Sequence, residues 1–307
     1  MAEPPRIHIP ADRPDLERAV EEGGGRVSPL EAADGLVWLQ GDPEGLPELP
    51  GSVRWVQLPS AGVERWLRAG AVDGERTWTS ATGAYGLPVA EHALALMLAA
   101  DKSLHAFARE RSWPAHPDEG RHHVRSLEGA TVAIVGAGGI GRALISLLEP
   151  FGGEVIAVTR RGWHVPGAAR TLPADRVSEV WPAAHHVVIA APATDGTRRL
   201  VGARELAAMR EDAWLVNVAR GTLVDTDALV DALRSGAIAG AALDVTDPEP
   251  LPGDHPLWAL PNALITPHVA TPPEAERRHF AARVRENVRR LAAGEELEGL
   301  IDPEGGY

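Results

Sequence analysis

The sequence predicts an α/β protein built on a doubly wound parallel sheet, and three observations carry that prediction. From Gly129 onward, unbroken apolar runs alternate with helical stretches, the pattern of a parallel sheet covered on both faces. A glycine-rich turn, "GAGGIG", stands directly between one such run and one such helix. Near its end the chain forms a further helix expected to carry it back to its first part. A second domain would then be built from both chain ends.

The first part is less regular. "RIHIP" and "GLVWLQ" read as strands, "GDPEGLPELPG" (41–51) as loop, and "VRWVQLP" (53–59) as a strand before the small-residue turn "SAG". An Ala- and Leu-rich segment from Val89 to about Arg109 has the apolar spacing of one helix. "SWPAHPDEGRHHVRS" (112–126) reads as loop. Strands are then expected at 131–136, 154–159, 186–191, 213–218, 239–245 and 262–266. Helices such as "GIGRALISLLEPF" and "DTDALVDALRSG" separate most of them. In "TPPEAERRHF", Thr271 fits an N-cap, Pro272 the first turn and Glu274 the far side of a capping box. That helix should end near Gly294. The domains expected are 1–87 with 272–307, and 88–271.

Composition narrows the chemistry. The chain has 307 residues, 44% of them hydrophobic and 24% charged, the balance of a globular protein with a sizeable core. Its net charge of −13 argues against a nucleic-acid surface. "HALALMLAA" is too short to span a bilayer, and the first residues carry no apolar signal core. We therefore expect a cytoplasmic protein with neither nucleic acid nor membrane as partner. The absence of cysteine removes disulfides, thiol nucleophiles and Cys-ligated metals. Lys102 is the sole lysine, which disfavours Schiff-base and Walker-type chemistry and leaves cationic work to arginine. No His or carboxylate spacing suggests a metal site.

Gly136, Gly138 and Gly141 take the spacing G-x-G-x-x-G after a strand and at the opening of a helix. The first glycine allows a tight turn, the second close approach of a pyrophosphate, and the third close helix–strand packing. The helix N-terminus offers N–H groups to the phosphates. About 20 residues past such a loop, an acid bonds the ribose 2′-hydroxyl of NAD. Thr159 stands there instead, followed by Arg160 and Arg161. An acid would repel a 2′-phosphate, so its absence beside two arginines points to NADP(H), with NAD(H) as second choice. One charged hydrogen bond of about 1.5–3 kcal/mol gives a preference of about 10- to 150-fold, with the lower half expected at a solvent-facing rim. The alternative is a solvated loop in an arginine-rich chain.

Three further residues lie just past strand ends, where open parallel sheets bind ligands. Arg220 follows "NVA", Glu249 follows "ALDVTDP", and His268 follows "LITP". An arginine fork can bind a carboxylate and polarise the neighbouring keto oxygen. A histidine can protonate that oxygen as hydride arrives, and an adjacent carboxylate would orient it and favour its charged form. Taken singly, each also reads as a surface or structural residue; their joint placement favours the active site.

"LEGATVAIVGAGGIGRAL", "NVARGTLVDTDALVDALRSGAIAGAALDV", "EPLP" and "LPNALITPHVA" resemble the signatures of the D-isomer-specific 2-hydroxyacid dehydrogenases, over most of the chain from about Val53. The resemblance implies a Rossmann-type domain plus a flavodoxin-like α/β substrate domain. It implies that Arg220, Glu249 and His268 are catalytic and that Asp244 holds the nicotinamide amide. Ala61 and Gly62 match the backbone that receives the substrate carboxylate. Gly136, Gly138, Gly139, Ile140 and Gly141 match the diphosphate loop, while Pro192, Val218 and Ala219 match positions beside the cofactor. Members that prefer NADPH, including glyoxylate/hydroxypyruvate reductases, resemble this chain at Thr159. Gly139 occupies a loop position that often carries a larger residue, which implies looser diphosphate contacts, and His186 stands where many members carry Asp, with no functional reason evident and a neutral effect expected. The Ala/Leu helix resembles the family's dimerisation helix, which implies a homodimer.

The expected activity is therefore reduction of a small 2-keto acid to the D-2-hydroxy acid. A nucleotide-sensing binding protein, like the family's corepressors, is the alternative from another class. Oxidation of formate or phosphite is a third reading, disfavoured by the arginines because it needs NAD. His122 and His123 read as exposed and His185 as peripheral. Trp66, Trp113 and Trp258 read as core residues before pocket residues.

Overall fold

The computed structural model describes residues 3–110 and 124–303. The chain divides into two compact units, Met1–Tyr85 with Pro272–Tyr307, and Gly86–Thr271.

The first unit holds a five-stranded parallel sheet. Its strands are β1 (Arg6–His8), β2 (Arg26–Val27), β3 (Gly35–Val37), β4 (Trp55–Gln57) and β5 (Thr77–Thr79), in the order β2-β1-β3-β4-β5. That is the flavodoxin-like winding, with its switch between β1 and β3. Helix α1 (Pro14–Glu22) starts on a proline and buries Leu16, Ala19 and Val20, while α2 (Glu64–Arg68) buries Trp66. β2, β5 and α1 have no counterpart among the expected elements. The two strands are too short to show periodicity, and tertiary pairing forms them.

The second unit holds seven parallel strands in the order β12-β11-β10-β9-β6-β7-β8. The strands are β6 (Thr131–Val135), β7 (Glu154–Thr159), β8 (Arg170–Pro173), β9 (His186–Ile189), β10 (Trp214–Asn217), β11 (Gly240–Leu243) and β12 (Ala263–Ile265). All six strands expected after Gly129 are present. β6, β9, β10 and β11 are buried almost throughout, which explains their unbroken apolar runs. The helices are α3 (Gly86–Asp101), α4 (Leu104–Glu110), α5 (Gly139–Leu148), α6 (Ala203–Ala208) and α7 (Thr226–Ser235). Asp225 caps α7 by accepting from the Ala228 N–H, and left-handed Gly236 ends it.

Three expectations need correction. The single helix over 89–109 is two helices, because Ser103 at φ +49° leaves the helical region between α3 and α4. The capping box at Thr271 does not form. The last helix, α8 (Pro273–Ala293), starts one residue later, with Pro272 at its N-cap and no side-chain cap. Pro273 excludes helical geometry at the residue before it, so Pro272 stays extended and Thr271 falls outside capping reach. Gly294 ends α8 in the left-handed conformation, as expected. The third is His186, expected to have no particular role but found tied into the packing. It is buried, and its Nε2 lies 3.0 Å from Oδ1 of buried Asp101, tying the start of β9 to the end of α3.

α8 belongs to the first unit. Its Phe280, Val284 and Val288 share a core cluster with Ile7, Leu16, Val20 and Trp55. Asn287 donates to Gln57 Oε1 at 2.8 Å, and the same oxygen accepts from the Thr79 hydroxyl at 2.9 Å. This buried polar chain joins α8 to β4 and β5 with its partners satisfied. Among the described residues, no helix is long and apolar enough to cross a membrane.

Candidate active site

β6 lies between β7 and β9, so the winding reverses at β6 and opens a crevice at its carboxyl end. The glycine loop sits there. Gly136 has φ +101°, and a Cβ on it would lie 2.4 Å from the Ala191 N, so no side chain fits. Gly138 precedes α5, and a Cβ on it would meet open space. Room therefore exists at a helix N-terminus, where N–H groups and the helix dipole favour an anion. Gly141 is buried against the Gly136 carbonyl, and Ile140 lies beside it in the first turn of α5. Gly139 has a packing context as well, because Gly86 at the start of α3 presses against its carbonyl.

At the end of β7, the Thr159 hydroxyl oxygen is buried and has no hydrogen-bond partner among the described residues. Arg160 and Arg161 follow it, both exposed. Arg161 forms a β-bridge with Pro173, and its guanidinium lies 5.1 Å from the ring centre of Trp163, which is 68% exposed. The open space beside Gly138 at the start of α5 fits the phosphates of a dinucleotide. Pro192 follows β9 and its carbonyl accepts from the Thr197 hydroxyl at 2.7 Å. Val218 and Ala219 follow β10 and are buried.

Arg220 stands at the turn after β10. Buried Asn217 holds that turn, donating to the Arg220 carbonyl at 2.9 Å and accepting from the Ala219 N–H at 3.1 Å. The Arg220 side chain donates to the Ala219 carbonyl at 2.8 Å. The next residue, Gly221, packs directly on the backbone of Thr246 in the segment leading to Glu249. His268 Nδ1 lies 2.6 Å from Glu249 Oε1, with side chains 48% and 42% exposed. The carboxylate accepts from Nδ1–H, which leaves Nε2 for a ligand. His268 itself has φ +53°, in the left-handed region.

Asp244, at the end of β11, is buried and organises the His268 turn. Its carbonyl accepts from the His268 N–H at 2.8 Å. Its Oδ1 accepts from the Thr266 hydroxyl at 2.6 Å and the Val269 N–H at 3.0 Å, and its Oδ2 from the Ala270 N–H at 3.1 Å. His92 Nε2 approaches Oδ1 at 3.2 Å. Burial pushes the Asp244 carboxyl up, but the hydrogen bonds from His92, Thr266 and Val269 outweigh it and hold it at about 2. A pKa depressed from 3.8 contributes stability that is complete above about pH 4 and lost as pH falls through about 2. Between those values the wild type should lose about 2 kcal/mol more than Asp244→Asn in chemical denaturation. Parallel losses in the two proteins would contradict this.

The sequence-predicted residues thus separate into groups. His268, Glu249 and Asp244 are joined by contact or a shared turn, and Arg220 lies on the loop of the adjacent strand. Ala61 and Gly62 lie on the first unit, in the turn after β4. There the Gly62 carbonyl accepts from Ser60 at 2.8 Å and the Ala61 carbonyl from Thr82 at 2.9 Å. Among the described residues, nothing accepts from the N–H groups of Ala61 and Gly62. Trp66 is fully buried core, whereas Trp258 is 47% exposed. Trp113, His122 and His123 lie outside the described residues. Sequence reasoning missed His92, Thr266 and Trp163. The one available signal was a titratable residue set in an apolar helix, "AEHALALML".

Comparison with known proteins gives the family. The family model described as "D-isomer specific 2-hydroxyacid dehydrogenase, NAD binding domain" matches residues 93–270. An uncharacterized protein in the proB 3′ region of Corynebacterium melassecola is 41% identical over 94% of this chain and 95% of its own length. Glyoxylate reductase of Thermofilum pendens is 33% identical over 70% of this chain and 65% of its own length. A D-isomer specific 2-hydroxyacid dehydrogenase of Xanthobacter autotrophicus Py2, solved with NADPH and MES, superposes with a TM-score of 0.81. It is 28% identical, with all of both chains covered. The chain belongs to the D-isomer specific 2-hydroxyacid dehydrogenase family.

Proposed function

We propose that this protein reduces a small 2-keto acid of the glyoxylate or hydroxypyruvate kind to the D-2-hydroxy acid, using NADPH. The observation that carries this reading is the 2.6 Å pair of His268 Nδ1 and Glu249 Oε1, on a half-exposed histidine whose Nε2 that bond does not use. Reduced nicotinamide, when bound, supplies the hydride. His268 Nε2 then gives its proton to the keto oxygen, and Glu249 keeps the ring aimed and compensates its charge. The Arg220 fork binds the substrate carboxylate and draws electron density from the keto group. On the first unit, the N–H groups of Ala61 and Gly62 are proposed donors to a substrate carboxylate. Asp244, with one partner on Oδ2, is the proposed acceptor for the nicotinamide amide.

Support for NADPH comes from the end of β7. The unsatisfied Thr159 hydroxyl and Arg160 are the proposed partners of the 2′-phosphate, with Arg161 beside them. The relative from Xanthobacter autotrophicus was solved with NADPH. The proposed setting is a cytoplasmic homodimer, the dimer resting on the likeness of α3 to the family's dimerisation helix.

Initial rates with glyoxylate, hydroxypyruvate and pyruvate, each with NADPH and with NADH, test both halves. NADPH should give the higher kcat/KM, and equal or better rates with NADH would end the cofactor assignment. Thr159→Asp combined with Arg160→Ser should cut the NADPH preference about 10- to 150-fold. The absence of turnover on every keto acid would end the reductase reading.

A further inference from the structure

We propose that His92, acting through Thr266 and Asp244, is a positioning residue for His268. The inference rests on the reading of His268 as proton donor. His92 interrupts the apolar run of α3 and is 19% exposed. Its Nε2 lies 2.9 Å from the Thr266 hydroxyl oxygen and 3.2 Å from Asp244 Oδ1. The Thr266 hydroxyl gives its single proton to Asp244 Oδ1 at 2.6 Å, so toward His92 it can only accept. The proton of His92 is therefore on Nε2, shared between the hydroxyl and the carboxylate.

The chain of bonds ends at the catalytic turn. The carboxylate held by His92 and Thr266 is the one that accepts from the N–H groups of Val269 and Ala270. The same aspartate receives the His268 N–H on its backbone carbonyl. His268 has φ +53°, a conformation that a non-glycine residue keeps only when its surroundings over-determine it. Here the surroundings are Asp244, and what fixes the carboxylate rotamer of Asp244 from the helix side is His92. Removing the His92 donor leaves Oδ1 with Thr266 and Val269 alone. The carboxylate then gains rotational freedom, the turn loosens, and His268 Nδ1 no longer stays on Glu249.

Three variants and two readouts test this. In His92→Leu and in Thr266→Val, kcat for glyoxylate with NADPH should fall about 10- to 100-fold, while KM for glyoxylate changes less than about threefold. Amide hydrogen exchange at Val269 and Ala270 should accelerate in the same two proteins. His92→Gln, whose side-chain amide can donate to the same oxygens, should recover most of kcat and of the protection. Thr266→Val keeps the side-chain shape, so it serves if His92→Leu fails to fold. Unchanged exchange at Val269 and Ala270 overturns the proposal, as does faster exchange with kcat unaltered. His268→Ala separates this from the parent reading. If that variant keeps full turnover, the proton-donor assignment fails whatever the His92 series shows.

Discussion

Replacing His268 by alanine is expected to lower kcat about 10²- to 10⁴-fold, the usual contribution of a positioned general acid, while NADPH still binds. The expectation follows from the division of labour at the imidazole. Nδ1 is committed to Glu249 at 2.6 Å, so Nε2 is the atom proposed to reach substrate. Alanine at φ +53° would also strain the turn, so a fall in rate alone could reflect backbone movement. His268→Asn separates the two causes, because asparagine tolerates the left-handed region far better. Both variants should lose the same activity, with NADPH affinity by fluorescence titration within about threefold of wild type. Retention of near-normal turnover by His268→Asn would remove the acid assignment.

Gly221→Ala is expected to be the most damaging small substitution in the second unit. A Cβ there would lie 1.9 Å from the Thr246 carbonyl oxygen and 2.5 Å from the Asp247 N. Both are backbone atoms, so no rotamer change relieves the clash. Either the turn after Arg220 or the segment leading to Glu249 must shift. A stability loss of about 3 kcal/mol or more should appear in denaturant unfolding, with turnover falling in whatever protein remains folded. Gly138→Ala is the control, since its Cβ would meet open space at a negative φ. It should cost about 1 kcal/mol at most and weaken nucleotide binding instead. Equal destabilisation by the two substitutions would contradict this account.

These contrasts show what could be read from residues alone. The second unit was legible because its strands are buried on both faces, so composition and period coincide in "TVAIV", "HVVI" and "WLVN". The residues of the site were legible because each lies just past a strand, where the fold itself gathers side chains. The first unit was harder, since strands of two or three residues leave no period to detect. The missed residues act across long sequence separations. His92 meets Thr266, and Asp101 meets His186, only once α3 has packed. Even the failed cap at Thr271 has a local cause, a second proline that moved the helix start by one position.

The return of α8 to the first unit fixes an order of events during synthesis. Residues 86–271 form an uninterrupted stretch and can close their core while the chain is still being made. The first unit has two core clusters: one, with Leu36, Val56, Trp66 and Trp78, draws nothing from α8, whereas the other is completed only by Phe280, Val284 and Val288, which follow residues 86–271 in the chain. The face of the first unit that α8 covers is therefore completed only after the residues of the second unit have been made. Until α8 arrives it presents Ile7, Leu16 and Val20 uncovered, and there a nascent chain of this protein is most exposed to chaperones and to aggregation.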